Sequence, residues 1–158
     1  MDQHKTPPSD VPVGGERRLN DSAAADGDHL GYRLRLAYQR ASGNLTQAIG
    51  EYGITPMQFQ TLLRLHQRGP MTQNELGRSV GMPPANIHST VRRLTGAGLV
   101  IAEPAETGRR LTTVRLTDAG ERTLLDVLPV ADAANARTLS VLTPAEQATI
   151  MTLLRRLG

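Results

Sequence analysis

The sequence predicts a mainly α-helical protein whose helices are interrupted once, beyond the middle of the chain, by a β hairpin. Apolar residues recur at helical spacing through most of the chain, and three threonine-led segments carry helix start signals. Two short β-branched runs between Leu99 and Leu116 flank a segment with glycine and arginines, the pattern of a two-stranded hairpin.

Composition excludes several classes of protein. The 158 residues include no cysteine, and the four histidines are not paired at metal-ligand spacing. No apolar run approaches the roughly 20 residues of a membrane span, and the N-terminus lacks the apolar core of an export signal. We therefore expect a cytoplasmic protein without cofactor, metal or membrane partner. Residues 1–27, rich in proline and glycine, are expected to form a disordered tail.

Three of the later helix starts can be placed because each carries a capping box. Thr55, Thr72 and Thr143 are each followed three residues later by Gln or Glu. The side chain of this Gln or Glu can accept a hydrogen bond from the backbone N–H of the threonine. Before them, apolar residues at helical spacing predict a first helix over 29–51. The boxes predict a second helix over 55–67, a third over 72–80 and a last helix over 143–157, with Thr117 capping a long helix before it.

A fourth helix, from Pro83 to about Ala97, follows the third after a very short turn. Ile87, Val91 and Leu94 recur at i, i+4 and i+7 and predict its buried face. Two helices joined in this way form a helix-turn-helix, whose second helix can enter the major groove of DNA with polar residues outward. The alternative is an ordinary amphipathic surface helix.

The hairpin favours the DNA-binding interpretation, because its tip carries arginines that could reach a minor groove. A solvated turn is the alternative. Between residues 55 and 122 nine arginines stand against five acids, a mild basic excess. The predicted DNA-binding residues are Gln73, Asn74, Pro84, Ala85, Asn86, Ser89, Arg92, Arg93, Arg109 and Arg110.

Three segments make the chain similar to a known family: Met71-Thr72-Gln73-Asn74-Glu75-Leu76-Gly77, Val91-Arg92-Arg93-Leu94-Thr95-Gly96-Ala97-Gly98-Leu99-Val100 and Arg115-Leu116-Thr117-Asp118-Ala119-Gly120. They resemble the MarR family of winged helix-turn-helix regulators, over residues 30–157. The resemblance implies a winged domain over 55–117 with a two-stranded β wing, and an α-helical dimerisation domain over 28–54 and 118–158. One departure is Gly108, where the family usually has an acid that orients the wing arginine; Arg110 takes the arginine's place.

The resemblance also implies a homodimer that binds a palindromic operator as a repressor and is released by a small phenolic or aromatic carboxylate ligand. A ligand carboxylate would require Arg or His and a hydroxyl donor. The candidate ligand-binding residues are Tyr38, Met57, Phe59, His66 and His88. Tyr38 and Phe59 could instead be core residues. His66 could instead cap the C-terminal end of its helix, where a positive charge is favoured.

The two alternatives to a DNA-binding regulator are an enzyme and a protein-binding adaptor. The sequence contains no phosphate-binding loop or nucleophile with a recognisable base, so we expect no catalytic residues and no enzyme. A helical adaptor that uses its winged domain for protein contacts is the main alternative, and its binding would be insensitive to salt. A DNA-binding protein instead loses affinity steeply as salt rises.

Overall fold

The computed structural model describes residues 29–104 and 112–157. Six α-helices and three strands occur there, with a short 3-10 helix at Gly50–Tyr52. In chain order the elements are α1 (Leu30–Ile49), α2 (Pro56–Arg68), β1 (Met71–Thr72), α3 (Gln73–Ser79), α4 (Pro84–Gly96), β2 (Val100–Pro104), β3 (Thr112–Leu116), α5 (Asp118–Leu139) and α6 (Pro144–Leu157).

The chain divides into two units, residues 1–36 and 37–158. Of the first unit the structure describes the opening turns of α1, where the guanidinium of Arg35 lies 5.2 Å from the centre of the Tyr32 ring. The second unit contains the remaining elements. None of the described helices is long and apolar enough to cross a membrane.

All three predicted capping boxes are confirmed. The hydroxyl of Thr55 accepts from the backbone N–H of Gln58 at 3.2 Å, and the Gln58 side chain accepts from the N–H of Thr55 at 2.8 Å. The boxes that begin α3 and α6 have the same reciprocal bonds. Each box satisfies backbone donors that the first helical turn leaves unpaired, so these helices begin within one residue of the predicted positions.

The sheet contains the predicted two-stranded wing and one further strand. Strands β2 and β3 pair antiparallel as expected, from Val100 opposite Leu116 to Pro104 opposite Thr112. The two-residue strand β1 adds to the other edge of β3 and makes the sheet three-stranded, in the order β1-β3-β2. Periodicity could not reveal β1, because two residues are too short to show alternation.

One apolar core joins the winged elements to α5. Its fully buried side chains come from every helix between α1 and α5 and from two strands: Ile49, Leu62, Leu76, Ile87, Leu94, Val100, Val114 and Leu124. The predicted inner row of α4 is therefore confirmed, since Ile87, Val91 and Leu94 are all buried. Burial of this row determines which side of α4 faces outward.

Candidate nucleic-acid interface and ligand crevice

Helices α3 and α4 form the predicted helix-turn-helix. Helix α3 ends at Ser79, and Gly81 follows with a φ of 66°, a left-handed conformation that glycine adopts without strain. The backbone N–H of Met82 then donates to the carbonyl of Gly77 at 2.8 Å, which closes the turn before α4 begins. The turn directs the buried row of α4 into the core and its opposite face outward.

A groove of about 750 Å³ runs along the outer face of α4. Four predicted DNA-binding residues line it: Gln73 at the start of α3, and Ala85, Ser89 and Arg92 on α4. The last three recur at i, i+4 and i+7 and so share one face of the helix. The C-terminal part of α4 and strand β2 complete the wall with Thr95, Gly96 and Ala102.

The other predicted DNA-binding residues lie elsewhere. Asn74, Pro84, Asn86 and Arg93 are exposed but are not among the residues that line the groove. Arg109 and Arg110, predicted at the tip of the wing, lie outside the described residues.

The charge on the outer face of α4 is positive. Within the described part of the chain, Arg92 and Arg93 form no ion pair with an acidic side chain, and both are exposed. One acid on α3 and one on β2 have polar partners within their own elements or the sheet. Hydrogen bonds from the side chain and backbone N–H of Thr72 lower the pKa of Glu75, and the Glu103 carboxylate pairs with Arg115 at 3.3 Å. Arg92 and Arg93 present positive charge to an anion that approaches this side of α4.

A second cavity, the crevice, has a volume of about 580 Å³ and lies between α1, α2, the end of α3 and α5. Its polar walls could bind an acid, because they combine the guanidinium of Arg64 with several hydroxyl and amide groups. The residues that line it are Tyr38, Ala41, Ser42, Leu45, Thr55, Pro56, Met57, Gln60, Arg64, Ser79, Val80 and Asn135.

Comparison with known proteins identifies the family. The sequence profile of the MarR family matches residues 52–111. The HTH-type transcriptional repressor NicR of Pseudomonas putida is 31% identical over 153 residues, which are 97% of this chain and 93% of NicR. The chain belongs to the MarR family.

Solved structures of similar proteins agree with this assignment. A probable transcriptional regulator from Pseudomonas aeruginosa is 37% identical, with a TM-score of 0.79 over 84% of this chain and 98% of that one. Bordetella bronchiseptica BpsR is 27% identical, also with a TM-score of 0.79, over 84% of this chain and 94% of BpsR. The BpsR structure concerns the mechanism by which 6-hydroxynicotinic acid regulates the DNA binding of BpsR. Our chain is thus a winged helix-turn-helix protein of the MarR family.

The ligand-binding residues predicted for this MarR-family chain do not all meet in the crevice. Tyr38 and Met57 line it, and Tyr38 is 67% exposed rather than part of the core. Phe59 is only 4% exposed and belongs to the core. His66 pairs with Glu121 on α5 at 2.7 Å, and His88 lines the groove along α4.

Arg64 is the charged residue of the crevice, and sequence reasoning missed it. The sequence contains a signal for it, because Met57, Gln60 and Arg64 recur at i, i+3 and i+7 on α2 and so share one face. Its guanidinium donates to the side chain of Gln67 at 3.3 Å, a neutral partner that leaves its charge uncompensated within the described residues. No group of three or more His, Asp or Glu side chains among residues 29–104 and 112–157 could hold a metal ion.

Proposed function

We propose that this protein is a homodimeric transcriptional repressor that binds palindromic duplex DNA and is released by a small aromatic carboxylate. Residues 55–117 are the DNA-binding segment in this proposal, and residues 28–54 and 118–158 form the dimer. The outer face of α4 carries the proposal, because a helix with one buried row, short side chains near its start and exposed arginines opposite suits the major groove.

The dimer is supported by α6. None of its 14 residues is buried, and its apolar face consists of Ile150, Leu153, Leu154 and Leu157, between 36 and 69% exposed. A water-soluble monomer rarely exposes a continuous apolar row of this kind. A second copy of the chain would cover it and set the distance between two α4 helices, which a palindrome requires.

The crevice supports control by a ligand. Its volume lies in the range of small-molecule sites, and it is lined both by the end of α3 and by α1 and α5. A ligand that binds better when the two α4 helices are wrongly spaced for DNA would shift the dimer into that state. A difference of about 100-fold in affinity corresponds to about 2.7 kcal/mol, enough to weaken DNA binding substantially.

Replacing Arg92 with alanine is expected to weaken binding to the DNA directly upstream of this chain's own gene. One bidentate arginine contact contributes about 1–3 kcal/mol, and a dimer has two, so the expected loss is about 30-fold or more. Fluorescence anisotropy at several salt concentrations would measure this loss.

Three further variants separate backbone contacts from base contacts. Arg110→Ala should weaken binding to all DNA sequences alike, whereas Asn86→Ala and Ser89→Ala should alter the preference between sequences. Wild-type affinity that does not change with salt would favour the adaptor instead.

Replacing Arg64 with glutamine is expected to weaken binding of 6-hydroxynicotinic acid by about 10- to 150-fold. The charge-assisted hydrogen bonds lost are worth about 1.5–3 kcal/mol. Isothermal titration calorimetry would measure the change, and nicotinamide, which has no carboxylate, should bind both proteins equally weakly. Arg68→Gln is the matched control, because Arg68 is on the same helix but does not line the crevice. Equal losses in the two variants would argue against the crevice.

A further inference from the structure

His88 lies on the surface proposed to meet DNA. It is on α4, three residues after Ala85 and four before Arg92, and it lines the same groove. Gln73 of α3 and Ala102 of β2 complete the wall around it. The His88 side chain is exposed, and it is not among the residues that line the crevice. His88 is therefore placed to contact DNA rather than a ligand in the crevice.

Within the described residues, His88 forms no ion pair with an acidic side chain. Among the residues that line the groove, Arg92 has the one permanently charged side chain. On β2, Glu103 adjoins Ala102 but pairs with Arg115, and on α3 the Glu75 carboxylate accepts hydrogen bonds from Thr72. A phosphate of a bound duplex would supply an anion for the imidazole.

We propose that His88 binds a DNA backbone phosphate in its protonated form, so that DNA affinity rises as the pH falls. This inference rests on the proposed DNA-binding function. An imidazolium donates from both ring nitrogens and carries a charge, whereas the neutral ring has one donor and no charge. A neighbouring phosphate favours the protonated ring, so binding and proton uptake are coupled. The contact reads no base and should strengthen binding to all sequences alike.

The test compares wild type with His88→Gln and His88→Arg at pH 6 and pH 8. Fluorescence anisotropy would measure binding to the upstream duplex over a range of salt concentrations. Wild-type affinity should be about 10- to 100-fold higher at pH 6, because a dimer has two such contacts. The slope of log affinity against log salt should also steepen by about 0.9 per phosphate, or about 1.8 per dimer. His88→Gln should lose both changes, and His88→Arg should bind tightly at both pH values.

His66→Gln is the control, because His66 pairs with Glu121 on α5 at 2.7 Å and is not among the residues that line the groove. It should keep the wild-type pH response. Thermal melting at both pH values would verify that each variant is folded. The inference is overturned if wild-type binding does not change with pH, if His88→Gln keeps the response, or if His66→Gln abolishes it, although the proposed function would stand. Wild-type protein that binds no duplex at pH 6 and low salt would overturn both.

Discussion

Replacing Gly120 with alanine is expected to lower the free energy of unfolding by about 3 kcal/mol or more. A Cβ at this position would overlap the carbonyl oxygen of Leu99 and lie 2.9 Å from its carbonyl carbon. These are backbone atoms, and the Leu99 carbonyl also accepts from the N–H of Thr117 at 3.1 Å, so it cannot rotate away freely. The added methyl group would therefore separate α5 from the start of the wing.

Urea denaturation at one fixed protein concentration would measure the loss, and the melting temperature should fall by roughly 10 °C. Gly96→Ala is the matched control, since a Cβ there meets no atom within 4 Å and the residue has helical geometry at the end of α4. That variant should be neutral or more stable by up to about 1 kcal/mol. Equal stability of Gly120→Ala and wild type would contradict the close approach of α5 to Leu99.

Replacing Leu153 and Leu154 together with aspartate is expected to convert the proposed dimer into monomers. Each buried leucine contributes about 1.5–3 kcal/mol, and the two copies would lose four of them. A total loss of about 6 kcal/mol or more raises the dimer dissociation constant by a factor above about 10⁴. A monomer can hold only one half of a palindrome, so binding to the upstream duplex should fall to the level of unrelated DNA.

Light scattering coupled to gel filtration would measure the mass of each variant. Thr152→Asp is the matched control, because Thr152 lies on the opposite face of α6, where its hydroxyl donates to the carbonyl of Ala148 at 2.9 Å. It should remain dimeric. A double variant that elutes as a dimer with full DNA affinity would show that the apolar face of α6 is not the interface.

The sequence predicted the helices well because their determinants are local. A capping box joins two residues three positions apart, so its hydrogen bonds do not depend on the rest of the fold. Thr55 and Thr72 form such boxes at the starts of α2 and α3. The inner row of α4 follows from helical geometry alone, and burial of Ile87 and Leu94 confirms it. The residues opposite that row could therefore be named as DNA-binding candidates before the structure was known.

The ligand candidates lie on different surfaces, because helical periodicity does not determine which element packs against a residue. Tyr38 and Phe59 are both aromatic and both at helical spacing, yet one is exposed at the crevice and the other is buried in the core. His66 and His88 also face different surfaces. Which helix packs against each face is decided by contacts between residues far apart in the chain.

The sequence by itself determined where the helices begin, which face of α4 is apolar, and the family. Only the tertiary structure decided that β1 joins the sheet, that Arg64 and Tyr38 line one crevice, and that His88 lines the groove. The physical reason is the sequence separation of the interacting residues. Helix starts and helix faces depend on hydrogen bonds and apolar spacing between residues only three or four positions apart. The third strand and the two cavities exist only when distant segments pack together.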